Sequence, residues 1–307
     1  MEKHHIRMEK RMKSEQDIPA PASTDYVKII PTAWLTAYPK TFSDIALAQE
    51  IFHELEQIRV MHGKPAVSSN FKVPKLAPEI EARYKLVTKL LYQSGVRQVL
   101  EIAAGLSPRG MTLAKDPSWT YVEMDLPEMI AEKRAIAQRL ISSSKIITMP
   151  NLHFEEGNAL ATNDLDRAVS HFEKKPIAVI NEGLLRYLNF TQKAAVARNV
   201  HAILTLFGGV WITPDITLRK LLEIQDKTTM PGKNEAIIET TGINYNENRF
   251  ENEQEAKKFF ESFGFLVERH SFLEIRSELT SPRTLHLCDA ETEEMIRPLV
   301  AFVMRVK

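Results

Sequence analysis

The sequence predicts an α/β fold, a mostly parallel sheet covered by helices, with an antiparallel last strand and a helical layer in front. Three observations carry this. From residue 96 onward, short apolar runs alternate with helical patterns, the order that builds a parallel sheet helix-covered on both faces. The stretch VRQVLEIAAGLSPRG (Val96 to Gly110) reads as a buried strand, a tight turn of small residues and a helix start after Pro108. A second run, WTYVEMD, ends on Asp125, about 20 residues past that turn, where a nucleotide-binding βαβ unit presents a carboxylate to a ribose. Turn and spaced acid together point to an adenosine-containing ligand.

In chain order, residues 1–25 are charged, then rich in Pro, Ala and Ser, and read as a disordered tail. Lys3, Arg7, Lys10, Arg11 and Lys13 would suit an organellar transit peptide, but Glu2 and Glu9 would not, since such peptides are poor in acids. Residues 26–95 show helical patterns without a clear strand and form the predicted cap. Phe42, Ile45, Ile51, Phe52, Leu55 and Ile58 fall on one helical face, which Gly63 and Pro65 end. Pro78 opens a second helix striped by Ile80, Tyr84, Val87 and Leu91. Residues 96–307 form the ligand-binding domain. Its strands are expected at 97–102, 119–124, 177–181, 208–213, 264–269 and 299–306, with a weaker one near 152–155. Helices are expected near 108–115, 127–141, 163–173, 190–205 and 216–226. About thirty residues, read as irregular, separate the last two strands, so antiparallel pairing is expected there rather than a crossover.

Composition narrows the function classes. At 307 residues the chain can bury a substantial core, and its formal net charge of zero gives no electrostatic footprint for nucleic acid or an anionic membrane. Cys288 is the only cysteine, which excludes an intramolecular disulfide and fits a reducing, cytoplasmic compartment. No apolar run approaches the ~18 residues of a membrane span. The nine histidines are scattered without ligand spacing, so no metal site is expected, and Cys288 reads as an isolated thiol.

Three familiar loops approximate GLSPRGMT. The dinucleotide fingerprint G-x-G-x-x-G fails on the spacing of Gly105 and Gly110. The phosphate loop matches at Gly105, Gly110 and Thr112, but Met111 replaces the lysine that would counter the β/γ-phosphates. The hydrolase elbow G-x-S-x-G fits Gly105 and Ser107 but meets Arg109 at its second glycine. Asp215 and His270 follow in the Ser–Asp–His order, so a serine hydrolase using Ser107 stands as the alternative enzyme, although residues 26–95 offer none of the strands that fold needs first.

Taken with NEGLLRYL (Asn181 to Leu188), the turn resembles class I S-adenosylmethionine-dependent methyltransferases. Within them it is most similar to the leucine carboxyl methyltransferase family and its polyketide O-methyltransferase-like bacterial relatives. The resemblance spans about residues 30–307. It rests on TAWLTAYPKTFSDIALA, EARYKLVTKLL, VLEIAAGLSPRG, YVEMDLPEM, FEEGNAL, INEGLLRYL and FFESFGF, in that order. It implies a Rossmann-like seven-stranded sheet with a reversed last strand and S-adenosyl-L-methionine as cofactor.

The resemblance also implies site residues. Arg83 corresponds to the arginine on the methionine carboxylate, where a guanidinium can grip both oxygens. Glu101, Ala103 and Gly105 match the first motif, in which backbone approaches the amino-acid moiety; Ala103 stands where many relatives carry glycine. Asp125 would accept both ribose hydroxyls. Asn158, Ala159 and Leu160 match the segment lining the adenine, and the Asn158 amide oxygen can accept the adenine amino proton. Glu182, at the carboxyl edge of the sheet where such folds bind ligands, would pair with the methionine ammonium.

The expected chemistry is O-methylation of a carboxylate or hydroxyl on a small or medium organic acceptor, with a protein carboxylate as a further option. A carboxylate acceptor needs no base, whereas a hydroxyl would gain from one. Tyr187, Tyr245 and His270 are candidates, and none has a spacing that singles it out. The cap and the segment 227–255, with Pro231, Gly232 and Gly242, are expected to shape the acceptor pocket. A non-catalytic S-adenosylmethionine-binding protein is the remaining alternative.

Overall fold

The computed structural model describes residues 30–64, 76–219 and 248–307. Helices α1 (Ile30–Lys40), α2 (Ala48–Met61) and α3 (Ala77–Ser94) come first. Alternation then begins: β1 (Gln98–Ile102), α4 (Arg109–Leu113), β2 (Thr120–Asp125), α5 (Pro127–Ser142), β3 (Leu152–Glu156), α6 (Thr162–Val169) and β4 (Ile177–Asn181). A 3₁₀ turn (Leu185–Tyr187) leads into α7 (Phe190–Phe207) and β5 (Gly209–Thr213). After α8 (Glu253–Ser262) come β6 (Phe265–Ser271), a 3₁₀ segment (Phe272–Glu278), α9 (Ser281–Thr284), α10 (Asp289–Ile296) and β7 (Val300–Val306).

The strands form one seven-stranded sheet in the order β3-β2-β1-β4-β5-β7-β6. All pairs are parallel except the two that β7 makes, with β5 and with β6. β1 and β4 are buried at every position, as strands covered on both faces must be. Their side chains divide by the two-residue period of a strand. Val99, Tyr121, Ala178, Ile180, Val210 and Ile212 point to the layer of α1 to α3 and α5. Leu100, Ile102, Val122, Val179, Trp211 and Phe302 point to the layer of α6 to α8. Each aliphatic side chain buried this way contributes about 1.5–3 kcal/mol.

The strand expectations agree with the structure to within two residues at each end. Four helical expectations need revision. The apolar face from Phe42 to Ile58 is not one helix: Phe42 and Ile45 lie in the turn before α2, and α1 is a separate helix ended by Pro39 and Lys40. The helix expected at 163–173 stops at Val169. The thirty residues between the last two strands are helical in three short pieces rather than irregular. Of the helix expected at 216–226, Ile216 and Thr217 are irregular, Leu218 bridges to Phe250 and Arg219 is helical, while 220–226 lie outside the described residues, as do the tail 1–25 and residues 227–247 of the insert.

Two backbone positions set the edge of the sheet where ligands bind. Ala103, directly after β1, has φ +54°, and Gly105 has φ +48°. The left-handed region costs a non-glycine residue roughly 1–2 kcal/mol, so Ala103 holds a strained turn. Pro127 starts α5 at its first turn, so the chain turns away immediately after Asp125 and leaves that carboxylate at the edge.

Candidate active site

The carboxyl ends of β1, β2 and β4 open into a cleft of about 740 Å³, counting its mouth. The sheet contributes Glu101, Ala103, Ala104, Gly105, Leu106 and Ser107 from β1 and its turn, and Asp125, Leu126 and Met129 from β2 and α5. Glu182, Gly183, Arg186 and Tyr187 enter from the loop after β4. The helical layer supplies the remaining wall, with Thr32, Ala33, Thr36 and Lys40 from α1 and Arg83 from α3.

At one end Asp125 is held by the backbone. Its Oδ2 accepts the Gly105 N–H at 2.6 Å and its Oδ1 accepts the Leu126 N–H at 2.7 Å. Burial raises its pKa, and these two amides act against that rise. Each oxygen keeps lone-pair capacity for a hydroxyl. Leu126 and Met129 beside it present apolar surface suited to a flat heterocycle.

At the other end five charges meet. Arg109 is fully buried, donates from Nη1 to Glu101 Oε1 at 2.5 Å, and donates from Nη2 to Glu182 Oε1. It also donates from Nε to Thr88 Oγ1 at 3.0 Å and lies 4.5 Å over the Tyr84 ring. Glu101 accepts a further bond from the Tyr121 hydroxyl at 2.7 Å. Burial opposes the charge on Arg109, yet Glu182 and Glu101 raise its pKa well above the arginine norm. Glu182 shows the reverse balance: burial pushes its pKa up, but Arg109, Arg83 and Lys40 bring it below the carboxylate norm. Arg83 Nε is 3.4 Å from Glu182 Oε2.

Lys40 completes the group. It is buried at the end of α1, and among the described residues its ammonium makes no ion pair within 4 Å. Burial lowers its pKa to about 8, with Glu182 opposing and Arg83 and Arg109 adding to the fall. Three cations against two carboxylates leave this end short of one negative charge. A buried ammonium lacking a counter-ion is an anion site by its chemistry.

The sequence-predicted residues sort clearly. Arg83, Glu101, Ala103, Gly105, Asp125 and Glu182 line this one cleft. Arg83 is buried on α3, with its guanidinium beside Glu182. Glu182 is already engaged by two arginines, which the expectation of a simple ammonium partner did not include. Asn158, Ala159 and Leu160 follow β3 and are not among the lining residues; the Asn158 Oδ1 accepts the Leu160 N–H at 2.9 Å, a local turn. Lys40, Arg109 and Arg186 escaped the sequence reading. Lys40 had one signal: it is the only charged residue between Thr32 and Phe42.

The serine hydrolase reading fails on geometry. The Asp215 carboxylate is filled by donors from Asn181, Gly183, Leu184 and Leu185, while His270 pairs with Glu268 and Glu274 on and beyond β6. Neither reaches Ser107, so no triad forms. Of the base candidates, Tyr187 lines the cleft and donates to Thr32 Oγ1 at 2.9 Å, His270 lies on β6, and Tyr245 is outside the described residues.

No curated protein sequence matches the chain. Among solved structures, a duf574 family protein from Streptomyces avermitilis is similar at 14% identity and TM-score 0.50, covering 75% of this chain and 83% of that one. Magnesium protoporphyrin IX methyltransferase from Synechocystis, solved with bound SAH, matches at 12% identity and TM-score 0.45, covering 77% and 89%. An O-methyltransferase family protein from Burkholderia thailandensis matches at 16% identity and TM-score 0.42, covering 78% and 62%. At 14% identity the first of these shows a shared fold and no more. Sequence decides the rest: residues 42–201, which span α2 to α7 and carry every sheet-borne wall of the cleft, match the leucine carboxyl methyltransferase model, and the chain belongs to that family.

Proposed function

We propose that this methyltransferase moves the methyl group of S-adenosylmethionine to an oxygen, carboxylate or hydroxyl, of a small or medium organic acceptor. Membership of the family makes S-adenosylmethionine the cofactor. The observation that carries the reading is the polarity of one cleft, with a backbone-held carboxylate at one end and an unneutralised buried cation at the other. That pattern complements a molecule with a ribose diol at one end and an amino-acid carboxylate at the other.

The residues present fit this group. Lys40 and Arg83 would take the carboxylate, and Glu182 with the backbone after β1 would take the ammonium. Asp125 would take the diol, and Leu126 and Met129 would face the adenine. The turn at Gly105 is part of the cradle, and its φ of +48° would strain any side chain placed there. When bound, the cofactor supplies a methyl group already activated by its sulfonium. The protein's own task is then alignment and exclusion of water, which buried walls on both sides provide. A carboxylate acceptor is nucleophilic as it stands, so no general base is assigned.

Calorimetry with S-adenosylhomocysteine tests the reading. Asp125→Ala and Glu182→Ala should each weaken binding by at least about tenfold, the effect of losing a charged hydrogen-bonding partner. Binding unmoved by both changes would sink the site assignment. Binding without transfer of labelled methyl to any acceptor in a metabolite screen would favour a non-catalytic S-adenosylmethionine-binding protein.

A further inference from the structure

Asp215 is a buried carboxylate that belongs to none of the groups above. It follows β5 and is 1% exposed. Its Oδ1 accepts the Gly183 N–H at 2.7 Å. Its Oδ2 accepts the Leu184 and Leu185 N–H groups at 2.7 and 3.1 Å and the Asn181 Nδ2 at 2.9 Å. Asn181 is fixed in turn, donating to Thr213 Oγ1 at 3.0 Å and accepting from Trp211 Nε1 at 2.7 Å. Three consecutive amides converging on one carboxylate make an anion nest at the start of the 3₁₀ turn Leu185–Tyr187. The cleft loop Glu182 to Tyr187 is therefore wound around a charge supplied by another strand.

The far end of the same loop is held by the opposite charge. Lys193, fully buried on α7, donates to the Leu188 carbonyl at 2.5 Å and to the Asn248 carbonyl at 2.6 Å, with its ammonium 4.9 Å from the Phe190 ring centroid. Asp215 lies where the chain departs toward residues 220–247, and Asn248 where it returns; Leu218 and Phe250 bridge the two roots. An anion at the amide end and a cation at the carbonyl end thus tie the cofactor loop to both roots of the acceptor-side segment.

Resting on the cofactor reading above, we infer that Asp215 is a positioning residue: it holds the Glu182–Tyr187 loop in the form that binds the cofactor, through the amides of Gly183, Leu184 and Leu185. The full chain, as wild type, Asp215→Asn and Asp215→Glu, is to be compared by hydrogen exchange across 182–188 and by S-adenosylhomocysteine calorimetry. In Asp215→Asn an NH₂ replaces one acceptor oxygen and faces donors. Exchange at 183–185 should quicken, and the Kd for S-adenosylhomocysteine should rise, each by about tenfold or more. Asp215→Glu keeps the charge and should recover part of both effects, which a mere loss of packing would not produce. If Asp215→Asn does not fold, Thr213→Val, which removes the hydroxyl shared by Asn181 and the Asp215 amide, should shift both readouts the same way by a smaller factor. Faster exchange with an unchanged Kd overturns the positioning role and leaves the cofactor site standing. Wild-type protein that does not bind S-adenosylhomocysteine overturns the cofactor reading, and this one with it.

Discussion

The charge at Lys40 gives the site a pH dependence whose sign can be worked out. A cofactor carboxylate is held by the ammonium and not by the amine. With the pKa at about 8, affinity for S-adenosylhomocysteine should fall as pH rises through that value, by about tenfold between pH 7 and pH 9. The stability of the ligand-free protein should move the other way. An unfolded lysine keeps its proton up to its ordinary value of 10.5, whereas the native Lys40 releases it near 8. Between those values the unfolded chain binds more protons, so stability rises with pH, and the cost of burying the cation is fully present only below 8. Subtracting Lys40→Met from wild type at each pH isolates this group in both titration calorimetry and thermal melts. A Kd difference that stays flat from pH 7 to pH 9 would remove Lys40 from the carboxylate end. The sequence marks Lys40 only as a lone charge between Thr32 and Phe42. What makes Lys40 an anion site is the nearness of Arg83 and Arg109, which already hold Glu182 between them, and the Arg109–Glu182 contact alone spans 73 residues of chain.

Among the elements, those that were legible share a physical reason. The strands β1, β2, β4 and β5 are short, mainly apolar runs buried on both faces, and the acids inside β1 and β2, Glu101 and Glu123, are buried in ion pairs with Arg109 and Lys133. Asp125 and Glu182 were legible with them, because an acid directly after such a strand falls at the ligand edge whatever the helices do. The short helices α9 and α10 were not. At four and eight residues they are too brief for an apolar stripe, and their marks are local ones: Pro282 in the first turn of α9, and Glu291 accepting the Cys288 N–H at 2.7 Å. One element junction carries a sharp prediction. Gly209 opens β5 at φ +110°, and a Cβ there would run into the carbonyl oxygen of Ile177 on the adjacent β4. The obstacle is backbone on a central strand, which cannot rotate away. Gly209→Ala should therefore cost about 3 kcal/mol or more, through strain and a disturbed β4–β5 register, and lower the urea midpoint accordingly. A loss under 1 kcal/mol would show that β4 and β5 can slide apart at this end.

At the scale of the whole molecule, the cleft takes its walls from two layers. α1 brings Thr32, Ala33, Thr36 and Lys40 to the site while resting on α2 and α3 through a core that includes Ala37, Leu55, Ala82 and Leu86. The sheet edge brings Glu101, Asp125 and Glu182. A ligand that touches both layers stabilises the native chain as one body, whereas one confined to the sheet edge would leave α1 as free to open as before. With S-adenosylhomocysteine at a hundred times its Kd, linkage predicts a gain of about 2.7 kcal/mol. For a chain of 307 residues that corresponds to a rise in Tm of about 4 °C. Asp125→Ala, at the tenfold weaker binding expected of it, should lose about half of that rise at the same ligand concentration. Hydrogen exchange locates the gain: amides in Ile30–Lys40 should slow along with those of the turn after β1, while the β6–β7 pair, remote from the cleft lining, should change little. A full thermal shift with no protection of α1 would mean that the helix is not a wall of the occupied site. The carboxylate end would then have to be closed by Arg83 alone.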